Sequence, residues 1–166
     1  MNIDKYNVNV FEKFNKEWAL VTAGDISNFN TMTISWGGFG TLWNKSVVTV
    51  YIRKSRYTHQ FLNNNEFFTL SFYSDNYKKD LGILGSKSGR DTNKVSLTNL
   101  TPKQIDNTTT FNEASTTIVC KKLFSYDMDI KRIPSDIKDN FYKDNDIHTI
   151  FIGEVVSISE WLWKKE

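Results

Sequence analysis

The sequence has one cysteine, two prolines and two histidines in 166 residues, and no apolar run long enough to span a bilayer. The single cysteine, Cys120, excludes an internal disulfide framework, a Cys-rich metal centre and an iron–sulfur cluster, and it fits a reducing compartment, so a cytoplasmic location is expected. Two histidines without a metal-ligand spacing give no reason to expect a metal site, and no nucleophile elbow accompanies them. Charge of one sign is also missing. Lys and Arg number 21 against 19 Asp and Glu, a net charge of +2, which argues against a broad nucleic-acid surface and requires any anion site to be local. The opening MNIDKYNVNVFEKF has no apolar core of signal-peptide length, so a soluble, unexported protein without membrane attachment is expected. No repeat or low-complexity segment appears, and the length fits one domain over residues 1–166.

What the chain does have is aromatic area: 12 Phe, 7 Tyr and 5 Trp. Such side chains pack a core or cover a flat ligand, and composition does not choose between the two. WALVTA (18–23) reads as a buried strand and NTMTISW (30–36) as an alternating one, with Met32, Ile34 and Trp36 on one face and a hydroxyl row of Thr31, Thr33 and Ser35 on the other. Val47–Arg53 and Glu66–Tyr73 read as further strands, the latter with Phe68, Leu70 and Phe72 on one face. SRYTHQFLNN between them predicts a short helix with Ser55 as N-cap, and NYKKDLGILG predicts another. Residues 87–111 read as a long polar loop, 116–130 as a long strand, the segment after Pro134 as a short helix, and IHTIFIGEVVSI as a last strand. Strands without regular strand–helix alternation predict a mainly β protein with short helices, an antiparallel barrel whose closure removes sheet edges.

Three clusters carry possible chemistry. In FNTMTISWGGFGTLW, the glycines 37, 38 and 40 lie between Trp36 and Trp43; a bulge or turn between strands and a close backbone approach to a ligand both fit. The final glycine of a dinucleotide fingerprint is lacking. In IRKSRYT, Arg53, Ser55, Arg56 and Thr58 bring guanidinium groups, hydroxyls and a helix start together, which suits a phosphate or an N-cap with solvated arginines. SGRDTNK adds Arg90, Asp91 and Lys94 in the long loop, and an ordinary charged turn is the alternative. His148 shares a strand face with Ile150 and Ile152, as a hydrogen-bonded core histidine or a functional one. His59 reads as an exposed helix residue, and Cys120 as a buried, inert thiol in register with Phe124.

Taken in order, WALVTAG, FNTMTISWGGFGTLWNK, VYIRKSRYTHQFL, FFTLSFY, LGILGSKSGRDTNK, FNEA and HTIFIGEVV resemble the flavoredoxin-type branch of the flavin reductase-like, FMN-binding split-barrel proteins over most of the chain. The resemblance implies a Greek-key split β-barrel, usually a homodimer, with FMN near the subunit interface. Carried over by motif, it implies that Asn30, Thr31, Met32, Thr33, Ser35 and Trp36 surround the isoalloxazine ring. Arg53, Ser55, Arg56, Tyr57 and Thr58 would hold the phosphate, and Ser88, Gly89, Arg90 and Asp91 would close the flavin or nicotinamide side. His148 matches a histidine near the nicotinamide in some relatives. Ser46 stands where many relatives have proline, which loosens a turn without abolishing binding.

The chain has no obvious acid–base set of its own, as suits a protein whose cofactor carries the reaction. The expected activity is NAD(P)H-dependent flavin reduction, with NADH or NADPH as donor. A flavoredoxin-like electron carrier, reduced by a redox partner protein, is the alternative. An oligonucleotide-binding barrel is a third, disfavoured by the near-neutral charge.

Overall fold

The computed structural model describes residues 1–161. Its strands, in chain order, are β1 (Ala19–Asp25), β2 (Asn28–Ile34), β3 (Gly37–Leu42), β4 (Lys45–Arg53), β5 (Phe67–Phe72), β6 (Pro102–Ile105), β7 (Thr108–Phe111), β8 (Thr116–Asp127) and β9 (His148–Glu160). The helices are short: α1 (Val10–Glu12), α2 (Tyr57–Asn64), α3 (Lys78–Ser86) and α4 (Ser135–Phe141). Among the described residues none is long and apolar enough to cross a membrane.

Seven strands form one antiparallel sheet in the order β2-β1-β5-β8-β9-β4-β3. Strands β4 and β5 follow one another in the chain through α2, yet β9 and β8 lie between them, which is a Greek-key crossing. Strands β2 and β3 are also consecutive, and they occupy opposite edges of the sheet. The sheet therefore curls without closing, as a split barrel. The expected removal of all edges is corrected: β2 keeps one side free of strand partners, and that free edge helps to form the site described below.

The inner faces of six strands meet in one core. Phe68, Leu70 and Phe72 point into it as their alternation predicts, against Val50 and Ile52 of β4 and Phe151 of β9. Each such side chain removed from water contributes about 1.5–3 kcal/mol before entropy is counted, so this face fixes the register. The reverse face of β1 is covered as well. Leu20 packs with Leu81 and Leu84 of α3 and with Phe111 of β7, which explains why WALVTA reads as a continuous apolar run.

Four readings change. The glycine segment is strand β3, joined to β4 by a two-residue turn in which Trp43 and Asn44 have φ of 52° and 58°. A Cβ at Gly37 would lie 2.4 Å from Phe14 Cε1, so that glycine admits the ring of the N-terminal segment rather than a ligand. Part of the long polar loop is the hairpin β6–β7, whose threonines are buried; Thr109 Oγ1 donates to the Gly24 carbonyl at 3.0 Å and Thr110 hydrogen-bonds Thr117 at 2.9 Å. Strand β8 stops at Asp127, and two register shifts, after Val119 and Lys122, leave Cys120 buried while Phe124 is 44% exposed. His59 is buried rather than exposed: Nε2 lies 2.7 Å from Thr149 Oγ1, whose hydroxyl donates to Asp127. Burial lowers its pKa from the ordinary histidine value.

Candidate functional site

Two clefts adjoin at Arg56. The first, of about 200 Å³, is lined by the consecutive residues Met32, Thr33, Ile34, Ser35 and Trp36, facing Tyr51, Arg53 and His148. Neighbouring side chains of a strand point to opposite faces, so five consecutive residues can line one cleft only if the strand's edge faces it. The unpaired N–H and C=O groups of β2 are thus among the polar groups offered there, beside half-exposed Trp36.

The hydroxyl row expected for this purpose is largely engaged elsewhere. Thr31 is fully buried, hydrogen-bonded to Thr22 Oγ1 at 2.8 Å, and lines neither cleft. Thr33 Oγ1 donates to the Leu81 carbonyl at 2.5 Å. Met32 and Ile34 point into the barrel core, yet their backbone borders the cleft. Among the described residues, the Ser35 hydroxyl has no partner.

The second cleft, of about 360 Å³, carries charge. Arg56, Lys87, Arg90 and Lys94 line it against one carboxylate, Asp91. The start of α2 supplies Tyr57 and Thr58, whose backbone amides precede the helical ladder. Arg56 is the helix N-cap, and its side chain makes no capping bond; Nη2 donates to the Gly85 carbonyl at 2.8 Å, and burial lowers its pKa, with Asp146 opposing. Asn30 reaches across from β2 to donate to Thr58 Oγ1 at 2.7 Å. Ser55 is not the cap: its amide and hydroxyl both bond the Asp146 carboxylate, at 3.0 and 2.5 Å.

The turn 88–91 closes this cleft. Arg90 Nη1 donates to the Ser55 carbonyl at 2.8 Å, and its guanidinium stands 5.0 Å from the centre of the Tyr57 ring. A Cβ on Gly89 would lie 2.2 Å from Asn30 Oδ1, so glycine lets the turn pack directly on the Asn30 side chain.

Ser55, Arg56, Tyr57, Thr58, Asn30, Ser88, Gly89, Arg90 and Asp91 thus come together around the cationic cleft. Arg53 does not: it lines the first cleft, and its guanidinium donates to the carbonyls of Phe141 and Asp146, each at 2.7 Å. Lys94, legible only as part of a charged turn, is 3% exposed and donates Nζ to the carbonyls of Leu84 and Lys87 at 2.9 and 3.1 Å. Burial first, then the charge of Arg56, bring its pKa down to about 8. Asp146, Tyr51 and Tyr142 give no local sequence signal, because long-range folding alone brings them here.

A curled, unclosed antiparallel sheet with a ligand-sized cleft at its free edge defines a split-barrel protein. The flavin reductase like domain matches residues 11–162, and the chain belongs to that family. Among curated proteins no sequence relative was found. Among solved structures, flavoredoxin from Methanosarcina acetivorans superposes with a TM-score of 0.68 at 20% identity, covering 95% of this chain and 75% of that one. An FMN-binding protein from Thermus thermophilus, solved with p-hydroxybenzaldehyde, gives 0.69 at 19% identity over 98% and 82%. An NADH:FAD oxidoreductase from Streptomyces globisporus, solved with NAD and FAD fragments, gives 0.66 at 19% identity over 87% and 74%. These likenesses establish the shared fold.

Proposed function

We propose that the chain binds FMN, with the isoalloxazine ring in the first cleft and the phosphate in the second, and that it passes hydride from NADH or NADPH to that flavin. The observation that carries this reading is the junction at Arg56 of a smaller cleft edged by strand backbone and a larger one lined by cations. A flavin mononucleotide has the matching halves, a flat ring with a polar rim and a dianionic tail. The pieces fit: Arg56 keeps donors free after its bond to Gly85, and Arg56, Lys87, Arg90 and Lys94 face a single carboxylate, Asp91, as a dianionic tail requires.

Bound FMN supplies the two-electron acceptor. The protein's part is to hold and orient it. The β2 edge offers fixed donors and acceptors to the ring's rim, Arg56, Lys94 and the start of α2 neutralise the phosphate, and the turn 88–91 covers the tail. A homodimer in the cytoplasm completes the proposal. Trp43, Phe124 and Tyr126, exposed by 62%, 44% and 52%, form an aromatic patch suited to a second copy.

Stopped-flow mixing of the FMN-loaded protein with NADH and with NADPH tests the activity, the expected result being bleaching of the flavin band by at least one of them. Bleaching by neither, with ready reduction by a protein donor, would replace the reductase by a flavoredoxin-like carrier.

Lys94 makes FMN affinity depend on pH. Its pKa of about 8 in the free cleft rises when an anionic phosphate arrives, so binding takes up a proton above that pH. Affinity should hold from about pH 7, where the phosphate is a dianion, to about 8 and then fall, by up to about tenfold per unit, until the bound-state pKa is passed. Lys94→Gln should bind more weakly at pH 7 and lose this slope. For stability the sign is opposite. A lysine whose folded pKa lies below its unfolded value penalises the fold while protonated in both states, so this destabilisation is full below pH 8 and fades as pH rises toward about 10. Fluorescence titrations and urea midpoints across that range check both.

A further inference from the structure

One wall of the first cleft is a stack of four side chains from separate parts of the chain. Arg53 ends β4 opposite His148, the first residue of β9. Its guanidinium donates to Phe141 and Asp146 carbonyls, gripping both ends of the turn after α4, and its Cζ lies 5.3 Å from the centre of the Tyr142 ring. Tyr142 is 6% exposed and meets the imidazole of His148 edge-on at 88°. Its hydroxyl lies 2.7 Å from Nδ1. On the cleft side the Trp36 ring stands 5.2 Å from the imidazole.

The two imidazole nitrogens are therefore unlike. Nδ1 is occupied. Nε2 has no hydrogen-bond partner among the described residues; it is also not one of the enclosed unpartnered atoms there, which are the hydroxyls of Tyr6 and Tyr73. Nε2 thus meets solvent, and the cleft lined by His148 is where it does so. The competing acceptors favour one direction for the Tyr142 bond. The hydroxyl has a second acceptor, Met128 Sδ at 3.5 Å, and a thioether is a weak acceptor beside the lone pair of an imidazole nitrogen at 2.7 Å. Donation from Tyr142 to Nδ1 gives the phenol's one proton to the better acceptor and puts the imidazole proton on Nε2, whereas the reverse direction would leave that proton to the thioether alone.

We infer that Tyr142 is a positioning residue that locks His148 in the Nε2–H tautomer, so that the cleft wall presents one fixed, uncharged N–H donor to a carbonyl or ring-nitrogen acceptor of the bound ligand. Arg53 belongs to this device and not to phosphate binding, because its donors hold the turn that carries Tyr142. The inference rests on the proposal that a flavin or nicotinamide ring enters this cleft. The charged and titratable groups that face His148 are Arg53 from β4, Tyr142 and Asp146 from the turn after α4, and Tyr51 and Arg56 around the cleft. Burial first, then Arg53, bring the imidazole pKa down to about 4, with Asp146 opposing, so the group is neutral wherever the protein works near pH 7.

The test begins on flavin-free protein, with nitrogen-15 NMR of the imidazole. Wild type should show the Nε2–H form and no titration of His148 between about pH 5 and 8. Tyr142→Phe should mix the tautomers and move the titration upward by about one pH unit. Flavin titrations follow: His148→Asn should weaken FMN binding about tenfold, as for one lost hydrogen bond, and His148→Gln, whose amide N–H can stand near Nε2, should recover most of that loss. An Nδ1–H tautomer in wild type overturns the assignment even if the Phe variant does not fold. So does a Phe variant with unchanged tautomer and titration. Equal losses in the Asn and Gln variants overturn the donor role. If wild type shows the expected tautomer and binds no FMN, the flavin reading fails while the Tyr142 assignment stands.

Discussion

Arg56→Gln should lower the affinity for FMN about 100-fold and affect riboflavin, which lacks the phosphate, far less. The guanidinium has one donor engaged on the Gly85 carbonyl, and the rest are available where the two clefts meet. Charge-assisted hydrogen bonds to an anion are worth ~1.5–3 kcal/mol each, so loss of one or two matches the expected factor at ~1.4 kcal/mol per tenfold. Glutamine is too short to keep the bond to Gly85, but burial already works against the guanidinium charge, so the two effects oppose and stability should change by no more than about 1 kcal/mol. Quenching of flavin fluorescence measures both affinities in parallel. Equal losses for FMN and riboflavin would show that Arg56 shapes the cleft without binding the phosphate.

The largest effect on stability is expected at Gly153, far from either cleft. It sits within β9 between partners on β4 and β8, where a Cβ would lie 2.7 Å from Phe68 Cε1 and Cζ and 2.8 Å from Cys120 Cβ. Phe68 and Cys120 are buried core residues, with no room to retreat. Gly153→Ala should therefore destabilise the protein by about 2–3 kcal/mol, read as a lowered urea midpoint at unchanged slope. Adding Phe68→Leu, which shortens the obstructing ring, should make the double variant about 1 kcal/mol more stable than the sum of the single effects. An unchanged midpoint for Gly153→Ala would contradict the packing of the barrel interior.

Much of this architecture is legible locally. Alternation in EFFTLSFY places Phe68, Leu70 and Phe72 on one face, and they do share the core. The stripe of Leu81 and Leu84 marks a helix, and that helix covers the outer face of β1. Legibility fails where polar residues are buried. Thr108, Thr109 and Thr110 read as loop because hydroxyl-rich sequence favours turns, yet each is enclosed and bonded to a partner distant along the chain, Gly24 for the first two and Ser71 for the third. His59 reads as exposed because nothing nearby in sequence reveals Thr149, 90 residues away, as its partner.

The candidate site divides in the same way. IRKSRYT and SGRDTNK name the cationic residues as types, since arginine, hydroxyl and glycine at a helix start are what an anion needs. By itself, then, the sequence determined an aromatic-rich antiparallel β protein of near-neutral charge, and the segments from which its two clefts are built. Only the tertiary structure decided the tasks within them: that Arg53 clamps a turn, that Thr31 is hydrogen-bonded inside, that Lys94 is buried, and that Tyr142 meets His148. The reason is physical. Periodicity reports which face a side chain takes, whereas a polar group's role depends on which partners, tens of residues away, satisfy its donors and acceptors once water is excluded.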